Sequence, residues 1–184
     1  IKGVPDNTEV SLHFDNPRNE PLVKGLVKSG RFELKGAVPE PALYVLVVPV
    51  AKQPLGIFLD GSTLDVQADV DSLQKAVVTG SALHTEFSNF RLTFDPYFLK
   101  LEQLSKLFGD TRYQTKQDSL YALARVMISE LDLRADKYIE EHNNSAVTPL
   151  LLYMLYTFFQ QAEVLDARFA KLGTAAQTSY YGKM

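Results

Sequence analysis

The chain reads as an α+β protein: an N-terminal antiparallel β-sandwich or open barrel, followed by a C-terminal helical segment of four to five helices. Three observations predict this. Before Gly80, apolar residues alternate with polar ones in short runs, the period of a half-buried strand. Turn residues (Asn16-Pro17, Ser29-Gly30, Asp60-Gly61-Ser62) separate those runs at the spacing of antiparallel strands. After Gly80-Ser81 the apolar residues recur every three or four positions instead, the period of an amphipathic helix.

The strands follow in order. In Glu9–Phe14, Val10, Leu12 and Phe14 alternate with Ser11 and His13. Residues 23–28 and 31–35 flank Ser29-Gly30, a short connection of hairpin type. Residues 42–48 are continuously apolar, which predicts a central strand covered on both faces. Pro39, Pro41 and Pro49 bracket that strand, since proline cannot donate to a ladder. Residues 56–59 and 63–68 straddle Asp60-Gly61-Ser62, and 76–79 close the series. Six to eight strands of this length imply a sandwich or barrel.

Ser81 is the expected cap of the first helix, whose stripe is Leu83, Phe87, Phe90 and Phe94. Asp95-Pro96 predicts a break or kink there, with resumption through Leu101, Leu104 and Phe108 and a stop at Gly109. Thr111 to Gln114 fits a capping box. The helix after it, with a stripe through Leu120, Leu123, Met127, Leu131, Ala135 and Ile139, spans roughly 45 Å to His142 at about 1.5 Å per residue. Glu130 and Arg134 form an i,i+4 pair on its wet side. Asn143-Asn144-Ser145 is a turn. Its match to a glycosylation sequon is read as helix-start chemistry. A nearly all-apolar helix then starts near Ala146 or at Pro149, with Thr148 as cap, and a last amphipathic helix covers 163–172. The expected organisation is a β-sandwich over 1–80, a helical segment over 81–173, and a linker over 174–184 toward a missing downstream domain.

Charge excludes several functions. Residues 1–80 carry 8 basic and 10 acidic side chains and the remainder 11 and 12, so neither part offers the basic patch a nucleic-acid binder needs. The absence of cysteine rules out disulfides, thiolate zinc sites, iron–sulfur clusters and cysteine nucleophiles within these 184 residues. The longest uncharged apolar-rich run, 146–162, contains Pro149 and several polar residues and falls short of the roughly 20 residues of a spanning helix. The start at Ile1 suggests that an upstream segment was removed.

No catalytic, cofactor or metal set stands out. A serine nucleophile needs an oriented base, yet there is no Gly-x-Ser-x-Gly elbow and the three histidines are scattered. His13 and His84 are expected at the surface, and His142 at a helix C-terminus where the dipole favours a cation. Asp65, Asp69 and Asp71 cluster but lack a calcium loop's glycine and terminal glutamate, and read as a solvated strand end. Paired carboxylates for hydrolysis are the weakest of the functional readings. Aromatic side chains offer more: nine tyrosines and eleven phenylalanines favour core and contact surfaces. Among them, Tyr153, Tyr156 and Phe159, and the pair Tyr180 and Tyr181, are the candidate interaction surface.

Several segments taken together carry a resemblance. They are VKSGRFELKG from Val27 to Gly36, the proline-bracketed strand after Pro39, GIFLDG from Gly56 to Gly61, VVTGS from Val77 to Ser81 leading into helices, and HNNS from His142 to Ser145. In this order the chain resembles the domain of unknown function that precedes thioredoxin-like domains in bacterial envelope thiol–disulfide oxidoreductases. The resemblance implies a β-sandwich followed by helices, export to the periplasm or cell envelope, often as a lipoprotein anchored through the removed N-terminus, and a downstream Cys-x-x-Cys domain as partner. With no cysteine here, none of that family's redox residues carries over. The expected role is a non-catalytic accessory module that binds a protein or peptide substrate, forms a homodimer or positions the redox domain. The alternative is a stand-alone envelope binding protein for a peptide or glycan.

Overall fold

The computed structural model describes residues 1–108 and 110–184, so the helix stop expected at Gly109 lies outside the described residues. The chain divides into two compact units, Ile1–Phe87 with Ser179–Met184, and Ser88–Thr178. The division falls inside a helix, where turn chemistry alone points to Gly80.

The architecture is α+β. In the first unit, β1 (Glu9–Phe14), β2 (Pro21–Leu26), β3 (Ala42–Val47) and β4 (Leu55–Leu59) form an antiparallel sheet in the order β2-β1-β3-β4. A separate ribbon pairs β5 (Asp65–Gln67) with β6 (Val77–Thr79). The larger sheet is open, and two departures from expectation explain why it has four strands. Ser29 and Gly30 do turn the chain, with φ of 50° and 71°, both positive as a type I′ turn requires. After the single bridge between Lys28 and Arg31, however, residues 32–38 leave the ladder. Asp60-Gly61-Ser62 likewise joins strands of different sheets rather than closing a hairpin. The Ser62 amide donates to Asp60 Oδ1 at 2.9 Å, and Gly61 takes φ +90°, which redirects the chain.

Strand β3 is covered on both faces, as its unbroken apolar run predicts. One face of the sheet places Val10, Leu46 and Ile57 in a core with Val4, Val27, Val48, Leu55 and Leu73. On the other, Phe58 is fully buried and packs against Phe87 at 5.5 Å and Tyr181 at 6.5 Å between ring centres. Burying such a ring contributes roughly 1.5–3 kcal/mol relative to leaving it in water.

Three side chains read from sequence as exposed are buried here. His13 sits under the loop after β1: its Nδ1 lies 2.7 Å from the Asn19 carbonyl and its Nε2 2.8 Å from Ser11 Oγ, so the buried ring has a partner at each nitrogen. His84 is also buried, and its Nδ1 accepts from the Phe58 amide at 3.2 Å, covering an outward group of β4. Tyr181 is the third. Where the sequence suggests a linker, Thr174–Gln177 forms a helical turn, and Tyr181 returns to the sheet, donating to Asp15 Oδ1 at 2.7 Å. Tyr180 packs edge-on against Phe14 at 4.8 Å, and Lys183 Nζ lies 3.4 Å from Glu40.

The long helix α1 (Ala82–Phe108) begins in the first unit and continues through Pro96. Proline in a helix interior costs about 3 kcal/mol. The helix persists because Phe94 and Phe98 are both buried one turn apart, and because Leu92, whose carbonyl loses its partner, is 78% exposed and so open to water. Arg91 and Asp95 pair at 2.8 Å just before the proline.

In the second unit, Thr111–Lys116 forms a 3₁₀ turn before α2 (Gln117–Glu141). The expected capping box does not form. Asp110 caps the turn instead, accepting from the Arg112 amide at 2.9 Å, so α2 is about 38 Å long at 1.5 Å per residue. Met127, Leu131, Ala135 and Ile139 are buried as the stripe predicts, whereas Leu123 is half-exposed. Tyr97 Oη sits between the expected ion pair, 2.6 Å from Arg134 Nε and 3.5 Å from Glu130 Oε2. Helix α3 (Thr148–Phe159) starts at Thr148, which is its first residue rather than its cap; the Thr148 hydroxyl donates to the His142 carbonyl at 2.6 Å. On α4 (Ala162–Phe169), the buried Arg168 reaches Asp132 and Asp136 of α2, each at 2.9 Å. The short α5 (Thr174–Gln177) ends this unit's chain.

Candidate binding groove on the N-terminal sheet

Alternation along β1, β3 and β4 places Leu12, Leu46, Ile57 and Leu59 on one face of the sheet, along a groove of about 1100 Å³ within the first unit; Leu46 and Ile57 are buried in the core beneath it, and Leu12 and Leu59 are partly exposed. Two segments wall it. On one side, Phe32 and Leu34 turn inward while Arg31, Glu33 and Lys35 are exposed. On the other, Leu64, Val66 and Ala68 turn inward while Thr63, Asp65 and Gln67 are exposed. The inward residues of both walls are partly buried and pack against the sheet's core. The first wall lies close over β2: a side chain at Gly25 would meet Leu34 Cδ2 at 2.8 Å and the Glu33 carbonyl oxygen at 2.9 Å. Gly25 therefore lets the two backbones approach. The volume lies just above the roughly 300–1,000 Å³ usual for small-molecule pockets.

The nearest approach to a catalytic constellation lies elsewhere in this unit. Ser81 Oγ donates to Asp60 Oδ2 at 2.8 Å and accepts from the His84 amide at 3.0 Å. In a nucleophilic triad the acid orients the histidine and the histidine takes the serine proton. Here the acid holds the serine directly, and His84 Nδ1 is occupied by the Phe58 amide. The arrangement is the helix cap expected at Ser81. Burial raises the Asp60 carboxyl, but hydrogen bonds from Ser62 and Ser81 outweigh it and hold Asp60 below the usual carboxylate range. Ser81→Ala removes both bonds of the hydroxyl and is expected to lower stability by about 1–2 kcal/mol at pH 7 in urea unfolding.

The acidic cluster is also structural: Asp69 Oδ1 accepts from the Asp71 amide at 3.0 Å and starts a 3₁₀ turn, while Asp65 accepts from Gln67 at 2.9 Å. Among the described residues no three histidine or acidic side chains gather as a metal site, and no helix is long and apolar enough to cross a membrane.

The five aromatics singled out in the sequence are divided between the two units. Tyr153 and Tyr156 are exposed on α3, and Phe159, partly buried, ends that helix. Tyr180 and Tyr181 belong to the other unit, where Tyr180 is partly buried and Tyr181 is 5% exposed and committed to Asp15. Burial removes Tyr181 from any contact surface. Sequence reading missed the groove. The alternation that marks Leu12 and Leu59 as inward-facing was legible, but not that a groove runs beside them.

Residues 1–87 match the family model described as Domain of unknown function (DUF4369). The matched domain ends at Phe87, the residue where the first unit's continuous stretch also ends, so the groove lies wholly inside it. No curated protein and no solved structure matches the chain.

Proposed function

We propose that this chain is a non-catalytic accessory module of an envelope thiol–disulfide oxidoreductase, and that its contribution is to hold a protein substrate for a downstream thioredoxin-like domain. The observation that carries this reading is a large, formed groove on a chain that contains no cysteine to exchange electrons. The order of sequence segments described above supports the redox context. Export to the periplasm or cell envelope, a lipid anchor and homodimerisation through the exposed Tyr153 and Tyr156 belong to the same proposal.

The test is to read the coding sequence on both sides and assay its product. An export leader upstream and a Cys-x-x-Cys domain downstream are expected. Deleting residues 1–173 from that product is expected to slow reduction of a disulfide-bonded protein at least tenfold while leaving reduction of a small disulfide unchanged. Equal rates on both substrates would remove the accessory role. A second reading, a stand-alone binding protein for a peptide or glycan, draws on the same groove, and flanking sequence without any redox domain would favour it.

A further inference from the structure

We infer that Ser179–Met184 is a docked strap: it closes on the first unit's sheet, fixes where the chain leaves that sheet, and detaches without unfolding it. This rests on the proposed accessory role, because what the strap would orient is the domain that follows.

Three contacts hold the strap, each to a different segment of the first unit. The Tyr180 ring meets Phe14, at the end of β1, edge-on at 4.8 Å between centres. Tyr181 is 5% exposed, lies 6.5 Å from the Phe58 ring of β4, and donates to Asp15 Oδ1 at 2.7 Å. Lys183 Nζ reaches Glu40, in the loop before β3, at 3.4 Å. A solvated linker would leave both rings in water; here one is buried and its hydroxyl is satisfied at the same time.

The receiving side is fixed independently of the strap. Asp15 leaves β1 with φ 58°, a left-handed conformation that aspartate tolerates better than most residues, and its amide donates to the Leu43 carbonyl at 3.0 Å. The carboxylate is thus anchored through its own backbone. The strap has local order too, with a 3₁₀ turn at Tyr181–Lys183 and the Lys183 amide donating to the Ser179 carbonyl at 3.2 Å. Yet it adds no strand to the ladder, whose four strands all lie between Glu9 and Leu59. Its departure breaks no strand pairing, which is the condition for opening locally at less cost than unfolding the whole unit.

The experiment uses the whole chain, whose lack of cysteine lets spin labels be placed at will. Nitroxides on Lys24→Cys and Met184→Cys, both exposed positions, report the distance from β2 to the end of the strap. One narrow distance distribution is expected. Replacing both Tyr180 and Tyr181 by alanine is expected to widen it at least threefold. Because that variant loses a buried ring, amide exchange on the unaltered chain supplies a second readout. Residues 179–184 are expected to exchange at least tenfold more slowly than a free peptide of their sequence, and at least tenfold faster than β3. A broad distribution in the unaltered tail, or one left narrow by the double alanine variant, would overturn the inference. So would strap amides as open as the free peptide, or as protected as β3. All four readings concern this chain alone, so they are separate from whether a redox domain lies downstream.

Discussion

Gly80→Ala is expected to destabilise the chain by about 4 kcal/mol, a large part of the roughly 5–15 kcal/mol that holds a domain folded. Two costs coincide at this position. Gly80 has φ +108°, a conformation side chains rarely adopt, and an added Cβ would overlap the carbonyl oxygen of Thr63 where the chain enters β5. Backbone cannot rotate away as a flexible side chain can. Gly61 separates the two costs: its φ is +90°, yet a Cβ there would meet nothing within 4 Å. Gly61→Ala is therefore expected to cost only about 1–2 kcal/mol, the conformational part alone. Urea unfolding of both variants checks this. Equal losses would show that the approach of Thr63 to Gly80 is not what requires glycine.

The second large effect is alkaline. Burial pushes the Tyr181 phenol well above its ordinary range, and the hydrogen bond to Asp15 and that residue's charge add to it. Tyr44 is raised as well, chiefly by burial. Below about pH 10 the phenol is neutral in both folded and unfolded chain, and its contribution is complete. Above that, the unfolded chain loses the proton while the folded chain keeps Tyr181 neutral, so stability falls with a slope that approaches about 1.4 kcal/mol per pH unit for Tyr181. The stabilisation is thus lost as pH rises, the sign proper to a raised folded-state value. Tyr181→Phe is expected to cost about 1–2 kcal/mol at pH 7 through the lost bond to Asp15. Between pH 10 and pH 11 its deficit relative to the unaltered chain should shrink by about 1 kcal/mol, because phenylalanine has no proton to lose. A deficit that stays constant over that interval would mean the Tyr181 phenol is not held neutral by the fold.

Much of the fold was legible because it is local. Strand β1 was readable residue for residue from alternation, β3 from its unbroken apolar run, and the Ser81 cap from one hydroxyl before a helical stripe. The failures share a cause. Pro96 predicted a break that two buried phenylalanines override. The capping box at Thr111 lost to Asp110, one residue outside the motif. His13 and His84 read as surface residues because the groups that satisfy them, the Asn19 carbonyl and the Phe58 amide, come from other segments. The groove was illegible for a related reason: the sequence marks which side chains face inward but not whether a covering strand pairs above them.

By itself, then, the amino-acid sequence determined the α+β order, the change of period at Gly80-Ser81, the face each strand residue takes, and the lack of any thiol. Those follow from covalent chemistry and from side-chain period, which act within a few residues. Only the tertiary structure decided that residues 32–38 leave the ladder, that Tyr181 folds back onto Asp15, and that Ser81 binds Asp60 as a cap and not as a nucleophile. Each of those joins groups far apart in the chain. Packing and hydrogen-bond satisfaction in three dimensions select such partners, and no spacing rule along the sequence encodes them.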